Sequence, residues 1–269
     1  MRPDDFRVPE GIKVDLTGWD PDDTADVTDK ETAKAITKAN RKAISELQEK
    51  LYAENKQSLL VVFQAMDTGG KDGCIRNVFK GVNPTGIRVR SFKAPTEAEL
   101  SHDFLWRVHQ HTPPTGHISV FNRSHYEDVL VVRVKDLVSK SVWSKRYGQI
   151  NAFEQTLQEL GTRILKFYLH ISKDEQKERL ESRLENADKH WKFSTGDLAE
   201  REYWDDYQEA FEGVLSKCST EDAPWFVIPA NKKWFRDALV SSTILRTLRE
   251  MDPQFPEQEE SLEGITVPD

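Results

Sequence analysis

The sequence has few of the features that mark secreted, membrane-spanning or disulfide-rich proteins. Its 269 residues include only two cysteines, Cys74 and Cys218, which lie far apart and offer neither a disulfide framework nor a cysteine zinc site. The longest uninterrupted apolar run, Leu59 to Phe63, is far shorter than the roughly 20 residues of a membrane helix. The first residues, MRPDDFRVPE, lack the apolar core of a signal peptide. We therefore expect a cytoplasmic protein with no membrane partner.

Basic residues are also in the minority. The chain has 38 Lys and Arg against 46 Asp and Glu, which gives a formal net charge of -8 at pH 7. Because an acidic chain gains no overall attraction to a nucleic-acid backbone, we expect no nucleic-acid partner. The composition, 37% hydrophobic and 31% charged, can build a core beneath a highly charged surface. The length fits one α/β domain with insertions.

The apolar pattern predicts strands that alternate with helices. Short runs rich in β-branched and apolar residues predict five strands, at 58–64, 87–92, 117–122, 163–171 and 225–230. Helical patterns occur at 28–52, 71–79, 97–109, 151–161, 172–186, 200–214 and 234–251, with 128–138 ambiguous. This alternation predicts an α/β fold with a mainly parallel sheet, helices on both faces and ligands at the carboxyl ends of the strands.

The predicted domain organisation has three parts. Residues 1–27, rich in Asp, Pro and Gly, are predicted to form an extended N-terminal arm. Residues 28–250 are predicted to form a single domain that includes a helical lid at about 173–200. Residues 251–269 are an acidic segment that is predicted to be a disordered tail.

The most informative motif follows the first predicted strand and reads AMDTGGKDG, at 65–73. A strand, a glycine turn and a helix that opens near Lys71 form a phosphate cradle, because backbone N–H groups and the helix dipole point at the anion. The Lys71 side chain can reach a transferring phosphoryl group. We predict that this loop binds phosphate through Gly69, Gly70, Lys71, Asp72 and Gly73.

The loop is similar to the Walker A motif but departs from it twice. Ala65 replaces the first glycine, and Asp72 replaces the hydroxyl residue that normally holds Mg²⁺. The carboxylates of Asp67 and Asp72 can take over metal binding. The alternative is a strand–turn–helix corner in which the glycines only allow the chain to turn and no phosphate is bound.

The end of the third predicted strand supplies a second group of candidates. Asn122 stands where P-loop folds place the acid that orients Mg²⁺, and it adds no charge. Arg123 can bind a phosphoryl oxygen bidentately, or can instead form a surface ion pair with Glu127. His125 is either catalytic or structural. We favour the structural role because phosphoryl transfer depends on positioning and charge more than on a base.

Further cations lie after the fourth strand and elsewhere in the chain. Arg179 and Arg183 are four residues apart and share one helix face, as expected of a lid that supplies cations to a phosphate chain. The alternative is a solvated charged helix. A third set suits a polyanion longer than one nucleotide, although scattered surface cations would look the same in sequence. This set comprises Arg76, Lys80, Arg88, Arg90 and Lys93, with Arg133, Lys135, Lys145 and Arg146 further on. The predicted lid also carries Lys189, His190 and Lys192.

These blocks, taken in order, resemble the family-2 polyphosphate kinases. The matching segments include LLVVFQAMDTGGKDGCIRNVFKGVNPTGIRV at 59–89, FNRSHYEDVLVVRV at 121–134 and APWFVIPANKKW at 223–234. The resemblance spans about residues 15 to 250. The GVNP and NRSHYEDVLV segments are most similar to the class III branch.

The resemblance implies a P-loop kinase fold with five parallel strands in the order 2-3-1-4-5 and a helical lid. It implies inorganic polyphosphate as donor, AMP and ADP as acceptors, ADP and ATP as products, and a homodimer or homotetramer. It also implies Mg²⁺, for which Mn²⁺ can substitute. By motif position, Asp67, Lys71, Asn122 and Arg123 correspond to catalytic positions, with Asp67 and Asn122 at the metal. Other branches carry Asp where this chain has Asn122.

The predicted reaction is direct in-line transfer from polyphosphate to an AMP or ADP oxygen, with no covalent enzyme intermediate. Three alternatives stay open at this point. An ATP-dependent nucleotide kinase shares the fold class, although the missing hydroxyl after Lys71 disfavours it. A non-catalytic polyphosphate-binding protein would bind without turnover. A phosphohistidine mechanism would require a covalent adduct at His125.

Overall fold

The computed structural model describes residues 1–258 and 266–267, which contain a five-stranded parallel sheet. Its strands are β1 (Ser58–Ala65), β2 (Ile87–Ser91), β3 (Ile118–Asn122), β4 (Thr162–His170) and β5 (Trp225–Pro229). They pair in the order β2-β3-β1-β4-β5, with β1 between β3 and β4. The predicted fold class and strand order are confirmed.

The burial of each strand depends on what covers it. Every residue of the central strand β1 is buried, as are all of β3 and β5, which is typical of parallel strands covered by helices on both sides. The edge strand β2 is mostly exposed. The opposite edge is covered by the N-terminal segment, where the Val8 N–H donates to the Trp225 carbonyl at 2.9 Å. The segment around Arg7 and Val8 thus packs against the β5 edge of the sheet.

Ten α-helices surround the sheet within the described part of the chain. They are α1 (Lys30–Glu54), α2 (Lys71–Val78), α3 (Glu97–Leu100), α4 (Trp106–His109), α5 (Val131–Val134), α6 (Lys140–Glu159), α7 (Lys173–Glu185), α8 (Thr195–Glu202), α9 (Trp204–Cys218) and α10 (Lys233–Met251). Helix α10 lies against α1, and no helix of the described residues is both long and apolar enough to cross a bilayer.

Several predicted helix bounds were wrong, each for a local reason. The predicted helix at 97–109 is interrupted, because the Asp103 carboxylate accepts the Leu105 N–H at 2.9 Å and starts a new turn. Residues 200–214 contain the end of α8 and most of α9, and the ambiguous 128–138 segment is partly the short α5. Helix α6 begins at Lys140, eleven residues before the predicted start at 151, and buries Trp143 and Tyr147 on one face.

Helix caps fix where the functional elements begin. Asp29 caps α1 by accepting the Thr32 N–H at 2.8 Å. Ser172 caps α7 by accepting the Glu175 N–H at 3.1 Å. Beyond α10, residues 252–258 have no regular structure, and 259–265 and 268–269 of the predicted tail lie outside the described residues.

A buried ionic cluster lies on the α6 side of the sheet. The Lys166 ammonium on β4 donates to Glu154 Oε2 at 2.5 Å, to the Cys218 carbonyl at 2.6 Å and to the Tyr126 hydroxyl at 3.0 Å. The Tyr126 hydroxyl and the His125 ring also contact Glu154 Oε1, at 2.7 and 3.1 Å. Burial disfavours an ionised Glu154, but Lys166 and His125 outweigh it and lower its pKa.

We predict that Lys166→Met lowers the free energy of unfolding by about 3–5 kcal/mol, because it leaves the Glu154 carboxylate buried without its cation. The double variant Lys166→Met, Glu154→Gln should recover part of that loss. Lys34→Met, which breaks an exposed ion pair with Glu31, is the matched control and should cost under about 1 kcal/mol. Urea denaturation measures all three, and equal losses for the two single variants would contradict the prediction.

Candidate active site

The phosphate loop connects β1 to α2 at the carboxyl edge of the sheet, and its backbone requires two of its glycines. A Cβ on Gly69 would lie 2.5 Å from the Ala65 Cβ and 2.9 Å from the Met66 carbonyl oxygen. Gly70 has φ +93°, and a Cβ there would collide with the Arg236 guanidinium. Thr68 also has a positive φ, at 63°. The loop is therefore held in a conformation that most side chains would disrupt.

The first turn of α2 presents unsatisfied donors. No side chain caps the helix, so the backbone N–H groups of Lys71, Asp72 and Gly73 have no intrahelical partner. The Lys71 ammonium folds back to the Ala65 carbonyl at 3.1 Å. Loss of water around the half-buried side chain, together with the nearby Arg123 charge, lowers the Lys71 pKa to about 8. The helix start combines donors and positive charge, which suits an anion.

Arg123 and Asp67 form the ion pair at the centre of the site. The Arg123 Nη2 donates to Asp67 Oδ1 at 2.6 Å, and Nη1 lies 3.8 Å from Glu127 Oε2. Both ends remain partly open, with the Arg123 side chain 40% and the Asp67 side chain 24% exposed. Arg123 has φ +61°, a strained value for a side chain of this size. The predicted surface pair with Glu127 exists, but it is the longer of two contacts.

Asn122 and Asp72 meet at the same edge. The Asn122 Nδ2 donates to Asp72 Oδ1 at 2.6 Å, which joins the end of β3 to the first turn of α2. The amide nitrogen is thereby used, so Asn122 Oδ1 is the atom left to accept from a further ligand. Four of the predicted site residues are thus joined in two hydrogen-bonded pairs.

A cleft of about 1030 Å³ opens above these residues and is rich in cations. Five acidic side chains also line it, so cations are in excess in a chain of net charge -8. The cations are Lys71, Arg76, Lys93, Arg123, Arg179, Arg183, Lys189, Lys233 and Arg236. The glycines of the phosphate loop lie at its floor, and α7 and the turn after it form one wall.

The two predicted lid arginines differ in role. Arg179 is buried and fully engaged: it donates to the Thr68 carbonyl at 3.0 Å, to the Ala230 carbonyl at 2.6 Å and to Glu175 at 2.6 Å. It therefore ties the phosphate loop to the end of β5. Arg183 instead donates to Asp197 at 3.0 Å and joins α7 to α8 across the cleft wall.

Two cations of the cleft were missed by the sequence reasoning. Lys233 and Arg236 lie in the first turn of α10, and Arg236 is only 2% exposed with a bidentate contact to Asp237 at 2.6 and 2.8 Å. The parallel topology brings the helix after β5 beside the helix after β1, next to Gly70. The sequence did contain a signal for these two cations. The basic segment NKKWFRD directly follows the fifth predicted strand, and ligands bind at the carboxyl ends of parallel strands.

Three other predicted or considered residues do not lie in this cleft. Arg133 pairs with Glu209 and stacks over Trp143, with its guanidinium carbon 4.9 Å from the ring centre. Lys80 lines a separate surface groove beside α1. His125 is fully buried against Glu154, in agreement with its structural interpretation.

A second, smaller pocket of about 160 Å³ adjoins the cleft. Its apolar walls come from the end of β1, from α5 and from α9, and they include Ala65, Met66, Leu130, Val131 and Phe211. The rest of its lining is polar or charged and includes Glu127, Gln176, Glu200 and Tyr207. Asp67 and Arg123 line both the small pocket and the large cleft. The central ion pair therefore stands at the junction of a basic cleft and an apolar pocket.

Metal binding by side chains alone has little support in the described residues. Within residues 1–258 and 266–267, no group of three or more His, Cys, Asp or Glu side chains is arranged to hold a metal ion. Mg²⁺, however, commonly uses one or two carboxylates and takes its other ligands from substrate phosphates and water. Asp67 and Asp72 fit that smaller requirement.

Comparison with known proteins agrees with this geometry. The chain is 54% identical over 263 residues to an AMP/ADP-polyphosphate phosphotransferase of Meiothermus ruber, a match that covers 97% of this chain and 98% of that one. It is 45% identical to an ADP-polyphosphate phosphotransferase of Rhodopseudomonas palustris, over 94% and 91% of the two chains.

The fold is also similar to a solved structure. The crystal structure of polyphosphate kinase 2 from Arthrobacter aurescens TC1 superposes with a TM-score of 0.94 at 45% identity, covering 97% of this chain and 94% of that one. The family model for polyphosphate kinase 2 matches residues 27–256. The chain therefore belongs to the polyphosphate kinase 2 family.

Proposed function

We propose that this protein transfers the terminal phosphoryl group of inorganic polyphosphate to AMP and ADP, and so forms ADP and ATP. The observation that carries the proposal is that Asp67 and Arg123 line both the basic cleft and the apolar pocket. A phosphoryl group that passes between two substrates must be in contact with both sites, and only the junction offers this. The two relatives are named as an AMP/ADP-polyphosphate phosphotransferase and an ADP-polyphosphate phosphotransferase, which supports the same reaction.

The donor is assigned to the basic cleft. A polyphosphate chain carries negative charge along its whole length. The cleft, with a volume of about 1030 Å³, is lined by many cations that can pair with this charge. The terminal phosphoryl group would lie on the first-turn N–H groups of α2, with Lys71 beside it. A single nucleotide triphosphate would use only some of these cations.

The acceptor nucleotide is assigned to the small pocket. Its volume and its apolar walls suit a planar base, and its open side leads to Arg123. Polar groups at its rim can read the base edge and the ribose, among them Gln176 and Glu200. An acceptor phosphate would then lie against the Arg123 guanidinium.

The side chains of this site act through position and charge. Lys71 and Arg123 would neutralise the oxygens of the transferring phosphoryl group, and Arg179 would keep the phosphate loop in place. Asp67 orients Arg123 and, with Asp72 and Asn122, provides the carboxylate and amide oxygens that suit Mg²⁺. When bound, Mg²⁺ would add Lewis-acid stabilisation of the phosphate oxygens, and Mn²⁺ would serve as a substitute. A homodimer or homotetramer remains a prediction.

The alternatives are less well supported by the same residues. An ATP-dependent nucleotide kinase would not need a cleft with nine cations. A non-catalytic polyphosphate-binding protein would not need an apolar pocket beside the phosphate loop. A phosphohistidine at His125 would require a fully buried ring to reach the cleft.

We predict ATP formation when purified protein is mixed with Mg²⁺, long-chain polyphosphate and either AMP or ADP, because both acceptors place a phosphate at Arg123. Nucleotide chromatography measures the products. The substrates are first freed of ATP and GTP, so that polyphosphate is the sole phosphoryl donor in the mixture. Product from ADP alone would remove AMP from the proposal. No product from either acceptor with folded protein, but turnover with ATP as donor, would contradict it.

We predict that Asp67→Asn lowers kcat by about a thousandfold or more without unfolding the protein, because the substitution removes one charge from the reacting centre and keeps its shape. Asp222→Asn, an exposed substitution outside the cleft, is the matched control. Initial rates and thermal melting compare the variants. A folded Asp67→Asn protein with near wild-type kcat at saturating Mg²⁺ would rule out the assigned role.

We predict that Arg179→Gln and Arg183→Gln fail in different ways. Arg179→Gln removes buried charge-assisted bonds and should lower the free energy of unfolding by about 2–4 kcal/mol, together with activity. Arg183→Gln should change stability by under about 1 kcal/mol but raise the KM for polyphosphate about tenfold. Denaturation and donor kinetics separate the two effects. Equal stability losses would show that the structure assigns these roles wrongly.

A further inference from the structure

A second basic surface lies outside the cleft, and the proposed reaction does not use it. It is a shallow groove of about 450 Å³ between α1 and the turn that follows α2, and we call it the outer groove. Four cations and one acid line it: Lys38, Arg41, Lys42, Lys80 and Glu46. In a chain with net charge -8, such an excess on one small surface is unexpected.

The periodicity of the α-helix places the cations of α1 on one side of it. Arg41 and Lys42 follow Lys38 by three and four residues, so both lie one turn beyond Lys38 on the same side of α1. Ser45 continues the row and donates to the Gly81 carbonyl at 3.3 Å, which holds α1 against the turn after α2. The groove is therefore a fixed feature of the packing between two elements.

Most of these cations have no carboxylate partner. Lys42 lies 3.8 Å from Glu46, whereas Lys38 and Lys80 form no ion pair with any residue in the described ranges, 1–258 and 266–267. A cation near the end of α2 is favourable for the helix dipole alone, which is enough to explain Lys80. It does not explain Lys38 and Arg41, which lie in the middle of α1.

The outer groove is connected to the catalytic cleft. Arg41 Nη1 lies 3.5 Å from the Asn77 carbonyl oxygen, and Asn77 together with Arg76 lines the cleft. Both residues belong to the last two turns of α2, the helix whose first turn forms the phosphate site. Basic and polar groups therefore continue from the phosphate loop, along α2, to the outer groove. Since α2 has eight residues, the distance between its two ends is about 12 Å.

We infer that the outer groove binds the distal part of a long polyphosphate chain whose terminal unit lies in the cleft. The inference rests on the proposed function, because it assigns more of the same donor. A chain held at two places gains affinity by effective concentration, so long chains should bind more tightly than chains too short to leave the cleft. A nucleic acid would also be attracted by the cations, but continuity with the phosphate loop favours the donor itself.

The test compares donors of two lengths. Lys38→Gln, Arg41→Gln, Lys42→Gln should raise the KM for long-chain polyphosphate about tenfold and leave kcat and the KM for a short linear oligophosphate within about twofold. The control replaces three exposed lysines that do not line the outer groove, Lys13, Lys30 and Lys56, by Gln and makes the same change in net charge. The pair Lys38→Gln, Lys42→Gln alters only exposed side chains and should show a smaller effect of the same kind.

A binding measurement separates this inference from the reaction. End-labelled long-chain and short-chain polyphosphate are titrated into each protein without nucleotide, and fluorescence anisotropy gives Kd. We expect wild type and control to prefer the long chain, and the triple variant to lose that preference even if no turnover is seen with any protein. Equal long-chain Kd for the triple variant and the control would overturn the inference. Competition by single-stranded RNA that is as strong as competition by polyphosphate would overturn the assignment to the donor.

Discussion

The site depends on one ion pair, that between Asp67 and Arg123. It joins the loop after β1 to the end of β3, and each partner comes from the carboxyl edge of a buried strand. Arg123 has a left-handed backbone, and its guanidinium reaches the loop at Asp67. Neither side chain is fully buried, so the charges are retained without the large desolvation cost of a core ion pair. Both cavities meet at this pair.

The cations that surround the phosphate loop are held apart from one another by backbone carbonyls and carboxylates. Arg179 uses Thr68 and Ala230 carbonyls, and Arg236 is paired with Asp237. Without these contacts, several positive charges within one cleft would repel each other and oppose folding. The arrangement places positive charge where a polyanion can reach it, and Arg123 is the cation that forms the ion pair with the Asp67 carboxylate. Lys166, in the buried cluster near α6, is likewise held by a carboxylate, that of Glu154, and by a backbone carbonyl, that of Cys218.

The parallel sheet and the strand–turn–helix geometry of the phosphate loop were predictable because their signals are local. Five apolar runs and a glycine turn before Lys71 indicate both features, and the structure has both, whereas the strand order came from the family resemblance. Arg236 was missed because its function depends on α10 packing beside Gly70, a contact between residues far apart in sequence. Arg133 and Lys80 lie outside the cleft, because the order of charges along a chain does not tell which residues face one cavity. The early start of α6 was missed because its buried aromatic residues are separated by charged ones.

The central claim is that the transferred phosphoryl group passes the Asp67–Arg123 pair between a basic cleft and an apolar pocket. The most direct measurement is a crystal structure with a bisubstrate analogue, an adenosine joined through its 5′ oxygen to an oligophosphate chain. The account predicts adenine in the small pocket beside Val131 and Phe211, phosphates along the cleft toward Arg76, and a phosphorus atom in contact with Arg123. Adenosine in the large cleft, with the small pocket empty, would contradict it.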